Sequence, residues 1–439
     1  MVNKLFCKAV TVLLLSALSQ VAAADALTDQ AQALLDQNKA KEAYSLLEPQ
    51  ESQRAGEVNF DLLFGIAAID VGQNTRGVFA LERVLALQPN NARARAEIAR
   101  AYLALGETDT AKHEFESVQK QGVPPEVSAT IDRFLDAVDR LESTSRTTLR
   151  GYAEGVFGYD SNVNVAPNKS AIAIPGFGGL PFTLGDDSRA KDAVFATLGG
   201  GLNVRTPINT QVALVGGLSG VLRNNFGVRQ FDTLSADAYA GVLLTQGKNV
   251  FSLNGQFNQY ELASDRYRTA SGLSGQWQFN RDARKQASAF VQYSDLRYQT
   301  QSIRNASRWV AGGAYAHAFR GGEVAFASAY WLNERPNDGD VPWLGFDGLG
   351  VRAGAQMNFD EKTVLFAVGS IENRRHRKED PSFLTTREDT QYDLSIGAIY
   401  TPARYWKVTP RLSLTNNDSN TELNKYHRES ASLTVRRDF

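Results

Sequence analysis

The sequence almost lacks cysteine: Cys7 is the only one among 439 residues. It lies in a segment, 1–24, that carries Lys4 and Lys8 before an apolar run and three alanines before Asp25. This pattern is typical of a secretory signal peptide and is too short for a spanning helix. The alternative is that Cys7 is a lipid-attachment site. A lipid-attachment cysteine follows the apolar run, whereas Cys7 precedes it. The mature chain would have no thiol, which excludes disulfides, cysteine-ligated zinc and a cysteine nucleophile.

A surplus of charge is also missing. The chain has 47 Lys and Arg against 48 Asp and Glu, a net charge of −1. Without a basic field, nucleic acid is not an expected partner. The nearest approach to a phosphate-binding loop, at 241–249 (GVLLTQGKN), has one residue too many and ends in asparagine. We therefore expect no nucleotide and no other cofactor.

Glycine is scarce only in the first part of the chain. Residues 25–145 contain six of the 36 glycines and are rich in alanine and leucine at helical spacing. A 34-residue repeat keeps five positions in register: Ala31/Gly65/Ala99, Leu34/Ala68/Tyr102, the turn residues Asn38/Gly72/Gly106, Ala43/Gly77/Ala111 and Leu47/Leu81/Phe115. Prolines lie near the expected ends of the repeats, with the first ending early: Pro49, Pro89 and Pro124.

This repeat resembles the tetratricopeptide repeat, in which small residues let paired helices approach and large ones fill the space between pairs. The resemblance implies three repeats over 25–145 and a capping helix at about 125–141. The expected repeat core is Leu34, Ala68, Tyr102, Leu47, Leu81 and Phe115. Such a stack offers a concave surface for a peptide or protein, and a mere spacer is the alternative.

Residues 149–439 change to a period of two, as in the segments 273–279, 349–359 and 392–400. Successive side chains of a strand point to opposite faces, so one face is apolar and the other polar or small. All five tryptophans and thirteen of fifteen tyrosines lie here, as aromatic girdles at membrane interfaces require.

The connections between these strands alternate in length. Short ones are expected at 207–209, 247–249, 281–284, 320–322, 360–362 and 402–403. Longer polar ones are expected near 160–189, 223–230, 263–267, 300–306, 335–346, 376–387 and 416–425. A soluble sandwich would distribute its turns evenly, whereas short turns at one end and long loops at the other are typical of outer-membrane barrels. The sequence predicts an α + β multidomain chain whose second domain is a closed, 14-stranded antiparallel transmembrane β-barrel, since lipid tolerates no open edge.

The predicted first strand, 149–159, runs into a packet of Asp and Asn residues. Asp and Asn adopt turn conformations and bond their own backbone, which suits the end of a strand. The repeats, the run GYDSNVNVAP and a barrel ending in Phe439 together resemble the surface lipoprotein assembly modifier family. In that family the barrel opens with an aromatic residue followed by Asp and spaced Asn residues, matched here by Tyr159, Asp160, Asn162 and Asn164, with Pro167 after them. We expect these residues to pin the first strand and its loop.

The resemblance implies an outer-membrane translocator of a Gram-negative bacterium, with its repeats in the periplasm, that carries a client protein, often a lipoprotein, to the cell surface. A periplasmic chaperone, lipid and lipopolysaccharide are further expected partners. Phe439 resembles a terminal signal for the outer-membrane assembly machinery. From the residues themselves, we hypothesise that the repeats hold an unfolded client, which a fourteen-stranded lumen passes as an extended chain or releases sideways.

Three other functions fit the sequence less well. The strongest alternative is a polysaccharide-export porin, although such proteins usually carry more repeats, and a passive channel would leave the repeats unexplained. An enzyme is not expected, because no histidine (His113, His317, His376 or His427) has a serine and an acidic partner in matching register. The basic run NRRHRKED, 373–380, is expected at the tip of a long loop, as a solvated segment or a contact for lipopolysaccharide phosphate.

Overall fold

The computed structural model describes residues 25–439, so the predicted signal peptide lies outside the described residues. The described chain divides into two compact units, a helical one up to Ser145 and a strand-rich one from Arg146 onwards. Helical repeats followed by a closed fourteen-stranded antiparallel barrel confirm the predicted fold class. Within the described part of the chain, none of the helices has both the length and the apolarity to cross a membrane.

The helical unit contains eight α-helices between residues 25 and 145. They are α1 (Ala26–Asp36), α2 (Ala40–Leu47), α3 (Glu51–Arg54), α4 (Val58–Asp70), α5 (Asn74–Leu87), α6 (Ala92–Leu105), α7 (Thr108–Lys120) and α8 (Pro125–Ser145). Three antiparallel pairs, α1/α2, α4/α5 and α6/α7, form the three repeats. The first repeat ends early at Pro49, where a 3₁₀ turn and the single turn α3 replace the end of its second helix.

The predicted turn residues end the first helix of every pair in the same way. Asn38, Gly72 and Gly106 all have positive φ values, 59°, 87° and 82°. The next residue's N–H in each case donates to the carbonyl oxygen five residues earlier, at 2.8, 2.8 and 2.9 Å. This is a Schellman cap, which needs a left-handed residue that glycine and asparagine adopt at little cost. The 34-residue repeat therefore encodes a repeated helix stop.

Small residues allow the helices of a pair to approach. A Cβ on Gly65 would lie 2.7 Å from Cγ of Leu81, and one on Gly77 would lie 2.5 Å from Cγ1 of Ile69. Both distances are shorter than real carbon contacts, so the second repeat requires glycine here. The first and third repeats have fully buried alanines at the equivalent positions, namely Ala31, Ala43, Ala99 and Ala111.

The predicted repeat-core residues differ in burial. Leu47, Leu81, Phe115 and Ala68 are completely buried. Leu34 and Tyr102 are half-buried and pack at the borders of apolar clusters.

The second unit is a barrel with a small hairpin in its first loop. The barrel strands are β1 (Thr148–Asp160), β4 (Ala193–Pro207), β5 (Val212–Asn225), β6 (Thr233–Gln246), β7 (Asn249–Leu262), β8 (Asp265–Asp282), β9 (Lys285–Tyr298), β10 (Ala306–Ala318), β11 (Val324–Pro336), β12 (Phe346–Asn358), β13 (Thr363–Asp380), β14 (Thr385–Tyr400), β15 (Trp406–Ser419) and β16 (Tyr426–Asp438). The hairpin consists of β2 (Ala171–Ala173) and β3 (Pro181–Thr183). Because β1 pairs with both β4 and β16, each of the fourteen strands has two partners.

The two faces of the barrel wall differ as the period of two predicts. On the outward face, large apolar side chains stand exposed, for example Leu198 at 68%, Leu349 at 66% and Leu218 at 64%. On the inward face, polar side chains bond across strands, as where Thr415 Oγ1 donates to Asp393 Oδ1 at 2.7 Å. Lipid around the wall favours an apolar outward face, and water inside the barrel favours a polar inward face.

Two predicted long loops are wrong. The connection expected at 263–267 is a two-residue turn, Ala263–Ser264, with φ of 53° and 69°. The loop expected at 376–387 is instead the end of β13 and the start of β14, joined by residues 381–384. The basic run 373–380 therefore lies on a strand, where Arg375 Nε pairs with Glu388 Oε1 at 3.1 Å. The polar sequence of this run predicted a loop. Charge pairs between the two strands instead stabilise a hairpin that extends β13 and β14 into polar surroundings.

Candidate functional site

Asp160, at the end of β1, is the centre of the predicted motif. Its carboxylate is completely buried. Arg428 on β16 donates to it from Nε at 2.9 Å and from Nη2 at 2.5 Å, and Arg223 on β5 donates from Nη2 at 2.8 Å. The backbone N–H of Asn162 adds a bond of 3.1 Å. One carboxylate thus ties together three strands, including the first and the last.

Asn162 fixes the turn that follows. Its Oδ1 accepts from the N–H of Ala166 at 2.9 Å, and its Nδ2 donates to the carbonyl oxygen of the same residue at 2.8 Å. A longer bond of 3.3 Å joins Nδ2 to the carbonyl oxygen of His427 on β16. The side-chain amide replaces the ladder partners that the backbone loses where the strand ends.

Asn164 connects the two ends of the long first loop. Its Nδ2 donates to the carbonyl oxygens of Asp187 at 2.9 Å and Arg189 at 2.7 Å. Its Oδ1 accepts from the N–H of Lys191 at 3.0 Å. The loop therefore leaves and re-enters the barrel at one cross-linked point.

The remaining motif residues lie at the edges of this cluster. Tyr159 points outward and its hydroxyl donates to Asp192 Oδ2 at 3.2 Å. Pro167 is buried beyond the turn. Sequence reasoning missed Arg223 and Arg428, which lie 63 and 268 residues from their carboxylate. No local pattern could have found them, because strand pairing through β4 brings Arg223 to Asp160 and barrel closure brings Arg428 to it.

The ladder between the first and last strands closes the barrel. β1 and β16 share nine paired residues, against thirteen between β1 and β4. Phe439 extends this ladder: its N–H donates to the carbonyl oxygen of Gly151 at 2.8 Å, and its own carbonyl accepts from Gly151 at 3.2 Å. The Phe439 ring is 64% exposed on the outward face. Phe439 is thus part of the closure.

The first helices of the three repeats share one face of the stack. Arg93 Nη1 on α6 donates to Gln32 Oε1 on α1 at 3.3 Å, reaching over the intervening repeat. Arg100, also on α6, pairs with Asp70 on α4 at 2.6 Å and with Glu97 at 2.6 Å. Contact between the first and third repeats means that this face is concave. It is polar and charged, and is the candidate surface for a peptide or protein.

Tyr102 on α6 connects the second and third repeats. Its hydroxyl donates to Glu82 Oε1 at 3.1 Å. Burial, followed by the nearby Glu82 carboxylate, raises the pKa of Tyr102 to about 12. The phenol therefore stays neutral and remains a donor at physiological pH.

The barrel interior is a hydrogen-bonded polar wall. Tyr330 donates to Glu372 at 2.5 Å, Gln391 to Asp393 at 2.9 Å, and the hydroxyls of Ser395 and Ser413 lie 2.9 Å apart. Such a lining favours water and polar groups over acyl chains.

The four histidines lie on four different elements, α7, β10, β13 and β16. His427 has an acidic partner, since its Nε2 lies 2.9 Å from Glu429 Oε1. The two residues are two apart on one strand and so share a face. Between residues 25 and 439, no group of three His, Cys, Asp or Glu side chains is placed to hold a metal ion.

Comparisons with known families match the two units separately. The profile of the surface lipoprotein assembly modifier family matches residues 150–439. A tetratricopeptide-repeat profile matches residues 68–131. No curated protein matches the chain.

Solved structures resemble parts of the chain. A FadL homologue of Pseudomonas aeruginosa is 9% identical with a TM-score of 0.37, covering 67% of this chain and 90% of its own. The Yersinia enterocolitica type III secretion chaperone SycD, in complex with a peptide of the translocator YopD, is 17% identical with a TM-score of 0.24, covering 26% and 90%. The first tetratricopeptide-repeat domain of human RPAP3 is 16% identical with a TM-score of 0.23, covering 26% and 88%.

The barrel profile spans more than half of the chain, and its residues are those that form the closed barrel. Family and fold point to a transport or assembly protein and fit a role in surface lipoprotein assembly at the outer membrane. The chain belongs to the surface lipoprotein assembly modifier family.

Proposed function

We propose that this protein is an outer-membrane translocator whose repeats bind a client lipoprotein in the periplasm and whose barrel delivers it to the cell surface. The observation that carries the proposal is the joining, in one chain, of a concave repeat face to a closed barrel of a lipoprotein-assembly family. A passive channel needs no such face.

The chemistry of the concave face supports a polar, extended client. Arg93 is half-buried and reaches from the third repeat to Gln32 of the first, while Arg100 is held by two carboxylates. A side chain like that of Arg93 can exchange its bond with Gln32 for one with a client carboxylate, which is a stronger, charge-assisted bond.

The barrel interior supports passage of an extended chain. Fourteen strands enclose more space than the eight that side chains fill, but less than the sixteen to eighteen of open porins. A lumen lined by hydroxyl, amide and charged groups can bond a peptide backbone in transit. Folding of the client outside the cell would give the movement its direction, since the outer membrane has no nucleotide supply.

The test begins by comparing the surface-exposed proteins of cells with and without this protein. A lipoprotein that loses surface exposure is then offered, with a periplasmic chaperone, to liposomes containing the purified full-length protein. We expect it to become protease-accessible across the bilayer, and no change with any candidate would contradict the proposal.

A charge-reversed pair of variants tests the role of the repeats. Arg93→Glu should reduce delivery about tenfold, because it replaces one charge-assisted bond with repulsion. Lys41→Glu makes the same change on the exposed side of α2 and should deliver normally. Equal effects of the two would show that the concave face is not the client site.

A further inference from the structure

A second candidate site lies inside the barrel, at the end that carries the longer loops. It is a cavity of about 470 Å³ between the wall β10–β14 and the loop that joins β11 to β12. That loop turns inward as a 3₁₀ turn, Pro342–Leu344, and Leu344 lines the cavity. Its position is fixed where His376 Nδ1 meets the carbonyl oxygen of Trp343 at 2.6 Å. This volume is within the range of small-molecule sites.

Three arginines of the wall are each held by a carboxylate along one edge only. Arg308 Nε lies 2.7 Å from Glu334 Oε2, Arg374 Nε lies 2.5 Å from Glu372 Oε1, and Arg387 Nε lies 3.0 Å from Asp389 Oδ1. In each case Nη2 of the same guanidinium completes the ion pair. Among the described residues, Nη1 of all three has no hydrogen-bond partner. The arginines are therefore oriented, while their third nitrogen stays available for a ligand.

A fourth arginine leaves the cavity with an excess of positive charge. Arg304 contacts only neutral groups in the described chain, the Tyr267 hydroxyl at 2.9 Å, Gln301 Oε1 at 3.1 Å and the ring of Tyr298 at 4.9 Å. Four guanidinium groups thus face three carboxylates. Val310, Leu332, Leu344 and Phe346 give the cavity an apolar part, while Tyr330 and His376 add polar groups to its lining.

We propose that this cavity binds a small phosphorylated saccharide. Guanidinium N–H groups that line one cavity from several strands match the oxygens of a phosphate, and the apolar part of the lining with Phe346 matches the face of a sugar. The same chemistry occurs in a free sugar phosphate and in the phosphorylated headgroup of a surface glycolipid. This site is separate from client delivery and does not depend on it.

Equilibrium dialysis of the detergent-solubilised full-length protein with labelled glucose 6-phosphate tests the site. We expect saturable binding of one molecule per chain, unaffected by an excess of glucose. The same binding experiment in nanodiscs with and without lipopolysaccharide identifies the source of the ligand. Weaker binding with lipopolysaccharide indicates the glycolipid headgroup, and unchanged binding indicates the free sugar phosphate. The absence of saturable binding, or equal competition by glucose, would overturn the proposal.

Variants separate this cavity from general attraction to a charged lumen. Arg304→Gln removes the excess charge without leaving a carboxylate unpaired, and should weaken binding about tenfold. The double variant Arg387→Gln/Asp389→Asn removes one oriented pair while avoiding a buried lone charge, and should also weaken it. Arg352→Gln, on the same inward face but outside the cavity lining, should bind normally. An equal loss with Arg352→Gln would contradict a specific site.

Discussion

The two units use hydrophobic side chains in opposite ways. In the helical unit, Leu81 and Phe115 are completely buried between helices. In the barrel, Leu198 and Leu349 are about two-thirds exposed and face outward. In both units the apolar side chains avoid water, but the surroundings differ. Water around the repeats favours an apolar inside, whereas lipid around the barrel wall favours an apolar outside.

The units also differ in how far apart in sequence their key contacts are. The repeat turns are stabilised by bonds spanning five residues, from Lys39 to Leu34 and equivalently in the other repeats. The barrel opening is stabilised by bonds spanning 63 and 268 residues, from Arg223 and Arg428 to Asp160. Stability in the repeats is therefore local, and in the barrel it depends on closure.

The largest effect is expected at the barrel opening. Asp160→Ala leaves Arg223 and Arg428 without their shared carboxylate, and losing one partner of a buried ion pair costs about 3–5 kcal/mol. We expect a lower urea midpoint and a lower temperature for the heat-induced gel shift of the barrel. Asp192→Asn removes an exposed neighbouring carboxylate and should change little. A stable Asp160→Ala barrel would contradict the three-strand connection.

A smaller effect is expected where the helices of the second repeat touch. Gly77→Val places atoms against Ile69 and the backbone of Gly65, and overpacking of this kind costs about 1–3 kcal/mol. The helical signal at 222 nm should melt at a lower temperature, while the gel shift of the barrel should not move. Thr75→Val lies exposed on the same helix and is the control. If both variants melt alike, the close approach does not require glycine.

The repeat turns should give a graded result. Gly72→Ala and Gly106→Ala force a Cβ into the left-handed region and should each cost about 1 kcal/mol in the helical melt. Asn38→Gly should be neutral or stabilising, because glycine adopts that conformation at least as easily. A loss of stability in Asn38→Gly would point to a further role for the asparagine side chain.

The smallest effect is expected from an ion pair between exposed loops. Lys169, followed by Lys425, lowers the pKa of Glu422. A carboxyl group whose pKa is lowered by folding stabilises the folded state at pH values above its ordinary pKa. This stabilisation is lost as the pH falls through the folded-state pKa. Proteolysis of the first loop should therefore become faster at acid pH, and Lys169→Ala should remove part of that dependence. The energy is about 0.5 kcal/mol or less, as for exposed pairs in general.

Local patterns of the sequence predicted most of the fold. The period of 34 residues located the turns at Asn38, Gly72 and Gly106, and the period of two counted the strands. The prediction was wrong where a strand ends in polar sequence. Residues 373–380 were expected in a loop because a charged run is typical of a loop and the strand that pairs with it was not known. Its partner Glu388 is visible only in the register of β13 and β14.

The candidate sites were predictable only in part. The Asp and Asn residues of the motif stood out by type and spacing, and Asp160 and Asn162 bond to nearby backbone, while pinning of the first loop stays a prediction. Arg428 lies 268 residues from Asp160, and the arginines of the lumenal cavity come from β10, the turn before it, β13 and β14. Strand pairing around a closed barrel is the information that the sequence alone did not supply.

The central claim is that alternate residues of the barrel wall face lipid and water. Cys7 is the only cysteine, so Cys7→Ser provides a background without thiols. Single substitutions on β12, Leu349→Cys, Val351→Cys, Gly350→Cys and Arg352→Cys, are then reacted with a water-soluble maleimide in proteoliposomes. We predict labelling at 350 and 352 and protection at 349 and 351, whereas uniform labelling of all four positions would contradict a membrane-spanning barrel.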